Sequence, residues 1–173
     1  MQIYIPAPAL VLLVGPSGSG KSTFARAHFT PTEVISSDAL RAMLADDSAN
    51  QDASAEAFRI LSLLANGRLK RRLTTVIDAT NLRAANRKTF RQLASRYGIP
   101  TVAIAFDLPV VLYSENNRLR PDRVVDAEVV ADQTERMREA MPDLLEESFG
   151  AVYVFRELDE VNGAVLTRMK GSD

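Results

Sequence analysis

Apolar positions along this chain fall into short continuous runs separated by stretches of helical spacing. Residues 9–14 (ALVLLV) form one such run, bounded by turn residues, the pattern of a strand buried on both faces. A helix is predicted to start inside the following glycine run and to carry residues 22–27. Residues 33–36 read as a brief second strand, with a helix over 39–44 and a polar loop over 45–53 (ADDSANQDA). Phe58, Leu61, Leu64, Ala65 and Leu69 recur at helical spacing within 54–73, where Gly67 is a weak point. The β-branched run 74–78 predicts a strand, and 83–97 a helix that stops at Gly98. A strand over 101–106 follows, and Pro109 suits the first turn of a helix reaching Asn116. A charged loop covers 119–123, a helix 126–141, and 151–155 is read as the final strand. Alternating strands and helices imply an α/β fold. Its parallel sheet of about five strands is sandwiched by helices and joined by right-handed crossovers. No repeat, low-complexity tract or long linker divides residues 1–173, so a single domain is expected.

Composition narrows the chemistry. The chain has no cysteine, which excludes disulfides and thiolate zinc sites. His28 is its only histidine, which removes Ser-His-Asp catalysis; its place beside Phe29 reads as a surface or capping position. The first residues lack a basic n-region and no apolar run is long enough to span a bilayer, so a cytoplasmic protein without membrane contact is expected. Net charge is −1, but its distribution is uneven. Residues 59–96 hold ten Arg and Lys side chains against Asp78 alone, a local charge of +9. Such a block reads as a polyanion-binding face or as solvated helix surface.

The run Gly15-Pro16-Ser17-Gly18-Ser19-Gly20-Lys21-Ser22 meets every fixed position of G-x-x-x-x-G-K-[ST], after a buried strand and before a helix. Its glycines let backbone N–H groups turn inward around a phosphate, and the helix N-terminus adds its positive end. Gly15, Ser17, Gly18, Ser19, Gly20, Lys21, Ser22 and Thr23 are the candidate nucleotide-binding residues. Lys21 is expected to reach the β- and γ-phosphates of ATP or another NTP, and the Ser22 hydroxyl to ligate Mg²⁺. Asp78 ends the strand TTVID, where a carboxylate can orient Mg²⁺ through water or, in the sequence DATN, cap a turn.

Phosphoryl transfer also needs a group that takes the proton of the acceptor. Asp38, after the second strand, can be that base or a helix N-cap, and Arg41 follows one helical turn later. The loop RLRPDR contributes Arg118, Arg120 and Arg123, stiffened by Pro121. These can close over the transferring phosphate as a lid or form a plain charge cluster.

The blocks GPSGSGKSTFARAHF, PTEVISSDALRAMLADD and VIDATN, with the arginine loop, closely resemble the kinase module of bacterial polynucleotide kinase-phosphatase, a family of RNA end repair. The resemblance runs from about Ile3 to Phe155. It implies a P-loop phosphotransferase that moves the NTP γ-phosphate to the 5′-hydroxyl of RNA or DNA. It further implies Asp38 as general base and Arg41 as holder of the phosphate next to the terminal nucleoside. Arg120 and Arg123 would contact the donor phosphates, with Arg120 catalytic beside Lys21, and Gln51 and Val129 would flank the terminal base. The family's lid carries a further arginine where this chain has Asn116, a place Arg118 can fill. Family members commonly add phosphatase and ligase-like domains, so the chain is expected to be an excised module or a stand-alone kinase, with an end-repair protein as partner. A limited role as a nucleic-acid groove, through backbone contact, falls to the basic segment. A small-molecule kinase for a sugar, nucleoside or antibiotic is the alternative, and a nucleotide-dependent switch a third reading. The chain has no N-K-x-D motif to support that last one.

Overall fold

In the computed structural model, residues 1–118 and 125–170 are described. Five parallel strands form the main sheet: β2 (Leu10–Val14), β3 (Val34–Ser36), β4 (Thr75–Asp78), β5 (Thr101–Phe106) and β6 (Ala151–Phe155), in the order β3-β4-β2-β5-β6. Six helices accompany it: α1 (Lys21–His28), α2 (Ser37–Ala45), α3 (Ser54–Lys70), α4 (Ala84–Ser95), α5 (Val110–Arg118) and α6 (Ala127–Glu146). The expected α/β sandwich with a five-stranded parallel sheet is the observed one.

The central strand β2 is buried at all five positions because both faces are covered. Leu10, Leu12 and Val14 join a cluster with Leu61, Phe90 and Met137 of α3, α4 and α6. Val11 and Leu13 point the other way, to Phe24 of α1, Phe106 and Phe155. The three rings of that second face meet edge-on or tilted at 5.2–5.6 Å between centroids.

Register places the site. Leu13 pairs with Asp78, Asp78 pairs with Ser36, and Val14 pairs with Ala105, so the carboxyl ends of four strands stand level. The chain fills one side of β2 with β3 and β4 and then crosses to the other with β5, which opens a crevice at that end.

Three expectations are corrected. Residues 151–155 are not the last strand: α7 (Leu158–Asn162) and β7 (Val165–Lys170) follow, and β7 pairs in parallel with β1 (Gln2–Ala7) as a separate two-stranded sheet. Ile3 and Ile5 alternate with exposed Gln2 and Tyr4, a period of two too short to stand out beside Pro6 and Pro8. Helix α6 runs past 141 to Glu146 through Pro142, which lies on the exposed side, as does Arg138, whose carbonyl loses its helical donor there. Within α3, Gly67 causes no break, and Leu64, unlike its spacing partners Leu61, Ala65 and Leu69, is 45 % exposed.

Candidate active site

The glycine run leaves β2 and enters α1 through two left-handed residues, Gly18 (φ 83°) and Gly20 (φ 89°). At Gly18 the demand is double, because a Cβ there would also run into the Tyr113 carbonyl of α5. Tyr113 is itself pinned: its buried hydroxyl donates to Phe106 O at 2.9 Å and accepts from Leu108 N at 2.6 Å. Burial pushes the pKa of that phenol well up, so it stays a donor. Gly15 N–H donates to Thr80 O at 3.0 Å, which ties the glycine run to the loop after β4.

Lys21 is 7 % exposed, and its ammonium donates to Pro16 O at 2.6 Å and Ser19 Oγ at 3.1 Å, folded over the loop it belongs to. The Ser22 hydroxyl donates to Asp78 Oδ2 at 2.7 Å. The structure thus brings together the serine and the carboxylate that the sequence named separately. Asp78 is 6 % exposed at the end of β4, and Asn81 closes the following turn. Asn81 is left-handed (φ 50°) and donates to Leu13 O at 2.7 Å and Ile77 O at 3.3 Å.

Asp38 is not the cap of its helix. Ser36 holds that position, with Oγ accepting from Ala39 N, and Asp38 sits inside the first turn of α2. Its carboxylate is ion-paired with Arg41, three residues on, and Arg41 Nε donates to Ser48 O at 2.8 Å. Arg41 is thereby almost buried while the Asp38 side chain remains one-third exposed.

Two hollows meet at these residues. One, of about 350 Å³, lies between the glycine run, α2 and α6, and is lined by Lys21, Asp38, Arg41, Gln51, Phe58 and Arg83 among others. The other, of about 1200 Å³, lies along Gly18, Gly20, Thr23 and Asn116 and reaches α7. Ser22, Asp38 and Asp78 line both. A site with two approaches converging on a phosphate cradle suits a donor and an acceptor.

Of the remaining candidates, Gln51 lines the smaller hollow, whereas Val129, on the first turn of α6 and 40 % exposed, is not among its lining residues. Arg118 closes α5, but its side chain, like Arg120, Pro121 and Arg123, lies outside the described residues. Gln133, Arg136 and Asn86 line the smaller hollow and escaped the sequence reading, while Arg83, a member of the basic segment, lines it too. Asn116 did not escape it, but its contact did: Nδ2 donates to Gly18 O at 2.9 Å. Spacing along α6 gave no signal for Gln133, because its partner Ser17 lies 116 residues away.

The basic segment is corrected most. Arg87 is completely buried: it donates to Asn81 O and Leu82 O, at 3.0 and 2.7 Å, and forms a paired bond to Glu147. Arg91 pairs with the same carboxylate at 3.4 Å. Arg68 and Arg72 donate to the carbonyls of Thr74 and Tyr97. Much of the local excess of cations therefore ties carbonyl groups and α6 to the scaffold, and Arg83 is the member of the block that lines the hollow.

An AAA-domain family model matches residues 10–144. No curated protein matches the chain in sequence. Among solved structures, the chain is similar to a chain of the Pnkp1/Rnl/Hen1 RNA repair complex, with 25 % identity and a TM-score of 0.66 over 79 % of this chain and 46 % of that one. It is similar in fold to the AvrRxo1-ORF1:-ORF2 structure with ATP (17 %, TM-score 0.64, 80 % of this chain and 50 % of that one). A sugar kinase from Janibacter sp. HTCC2649 shares the fold too (21 %, TM-score 0.60, 88 % and 86 %). The chain spans about half the length of the first two and most of the third. With a glycine run at the end of β2, a carboxylate beside its serine and a family match over most of its length, the chain belongs to the AAA-domain family, and its fold is that of a P-loop kinase.

Proposed function

We propose that the protein transfers the γ-phosphoryl group of ATP or another NTP to the 5′-hydroxyl end of RNA or DNA. One observation carries this reading. The Asp38–Arg41 pair stands where the two hollows meet, next to Lys21, Ser22 and Asp78. In the smaller hollow the acceptor hydroxyl gives its proton to the Asp38 carboxylate as its oxygen bonds to the γ-phosphorus. The bond to the β–γ bridging oxygen breaks, and NDP leaves with its charge met by Lys21 and the glycine-run N–H groups. Arg41 would hold the phosphate that follows the first nucleoside, with Gln51 and the half-buried Phe58 ring beside the terminal base. Arg120 and Arg123 keep the roles that the family resemblance implies, while Val129 stands outside the lining of the hollow.

Mg²⁺ belongs to this reading. A serine hydroxyl touching a carboxylate is the sparse, hard oxygen set that Mg²⁺ takes when substrate phosphates supply other ligands. Among the described residues no group of three or more His, Asp or Glu forms a dedicated metal cage, consistent with that partial set. Ser22 would hold the ion and Asp78 orient it, and bound Mg²⁺ supplies charge neutralisation on the donor phosphates.

The similarity to a chain of an RNA repair complex supports a nucleic-acid acceptor, and end-repair domains or a partner protein fit beside such a module. No helix among the described residues is long and apolar enough to cross a membrane. The use of Arg68, Arg87 and Arg91 within the scaffold favours the small-molecule alternative, because it shrinks the expected groove. The acceptor decides between them. Offered labelled ATP·Mg²⁺ with a 5′-OH oligonucleotide beside a panel of sugars and nucleosides, the protein is expected to label the oligonucleotide. Three arginines line the hollow (Arg41, Arg83, Arg136), so log affinity should fall against log salt with a slope of about −2. Transfer confined to small alcohols would refute the nucleic-acid reading.

A further inference from the structure

Helix α6 sets one side chain directly on the glycine run. Gln133 Oε1 accepts from Ser17 N–H at 2.7 Å, an anchored contact between an element outside the P-loop and a donor of the phosphate cradle. Gln133 also lines the smaller hollow together with Lys21, Ser22 and Asp38. An amide has two ends. With its oxygen engaged by Ser17 N–H, its orientation is set, and the Nε2 hydrogens are its remaining polar face. Ser17 adds a second donor at the same place: its hydroxyl is buried, and among the described residues it has no hydrogen-bond partner. A buried polar atom left in this way is costly unless a ligand meets it.

We infer that Gln133 is a further catalytic residue, which hangs from the cradle by its oxygen and offers its Nε2 hydrogens to the transferring phosphoryl group. The inference rests on the phosphotransfer reading above but not on the identity of the acceptor. The phosphoryl group flattens in transit between the leaving and attacking oxygens, and its equatorial oxygens gain charge that fixed donors can meet. Lys21 and the loop N–H groups serve the donor side, while α6 brings a neutral donor to the acceptor side. A glutamine does this without adding a cation beside Arg41 and Arg136. Its amide also needs no change of protonation to donate.

Two variants separate the amide's two ends. Gln133→Glu preserves size and the acceptor for Ser17 N–H but replaces the donors with carboxylate oxygen; Gln133→Ala removes both. Titration with ADP and with a non-hydrolysable ATP analogue reads the γ-phosphate contact without any acceptor, and single-turnover transfer to an oligonucleotide reads chemistry. Both variants are expected to bind ADP within about twofold of the unaltered protein and to lose about 10²-fold in transfer rate. The preference for the ATP analogue over ADP should shrink further in Gln133→Glu, where like charges face each other. A Gln133→Glu protein that transfers at the unaltered rate would overturn the inference. So would a loss of ADP affinity equal to the loss in rate, since Gln133 would then only prop the cradle. If no oligonucleotide is phosphorylated, the acceptor reading fails alone, and the analogue-to-ADP preference still decides the role of Gln133.

Discussion

Lys21 shows what single residues contribute at this site. Its ammonium rests on Pro16 O and Ser19 Oγ, so the loop itself holds the cation in place. Asp38 is similar: Ser36 does the capping, which leaves the Asp38 carboxylate for Arg41 and for the hollow. Placement at this scale was legible where it is local. The glycine run, Lys21, Ser22 and the Asp38–Arg41 spacing all lie within one turn or one helical step. Whatever depends on chain-distant neighbours was not legible. Nothing near Gln133 says that it touches Ser17, and nothing near Asn116 says that it reaches Gly18 O. The single histidine behaves as expected of a helix end: His28 packs 4.3 Å from the Phe24 ring, and partial burial lowers its pKa.

At the scale of elements, the loop between β4 and α4 is held by a device built mostly from one arginine. Arg87 spans the carbonyls of Asn81 and Leu82 and the carboxylate of Glu147, just beyond the end of α6. That joins α4 to α6 and fixes Arg83 and Asn86 at the edge of the hollow. Removing one member of a buried pair strands the other, so Arg87→Met should cost about 3–5 kcal/mol. The double replacement Arg87→Met with Glu147→Leu should cost less than the two single changes together, by more than about 1 kcal/mol. Urea denaturation of the four proteins measures this, and strictly additive costs would show that the pair holds nothing. The same arginine explains why charge counting misled: a cation in a basic run can serve a carbonyl in the interior as readily as a phosphate outside. Strand and helix periods, in contrast, were readable through most of the chain, because β2 and β5 are continuous apolar runs and α3 carries a spaced apolar stripe.

For the whole molecule, the notable addition is the β1–β7 sheet, whose strands are separated by nearly the full chain. Glu33 and Arg168 fasten it next to the main sheet through two bonds, at 2.5 and 2.7 Å, with the guanidinium over the Phe29 ring at 5.5 Å. The bonds from Arg168 hold Glu33 below its ordinary pKa near 4.5, against an opposing effect of burial. A carboxylate lowered on folding stabilises above its unfolded pKa and loses that contribution as pH falls through the folded value. Arg168→Gln should therefore flatten the fall of Tm below about pH 4.5. Melting curves across that range check it, and curves that run parallel to the unaltered protein's would contradict it.

The central claim concerns how this architecture moves a phosphoryl group, and its most direct test is single-turnover transfer from labelled ATP·Mg²⁺ to a 5′-OH oligonucleotide by Asp38→Asn. A base at Asp38 predicts a loss of about 10²–10⁴-fold in the transfer step, with ADP affinity held within about twofold. Transfer at the unaltered rate by a folded Asp38→Asn protein would contradict it.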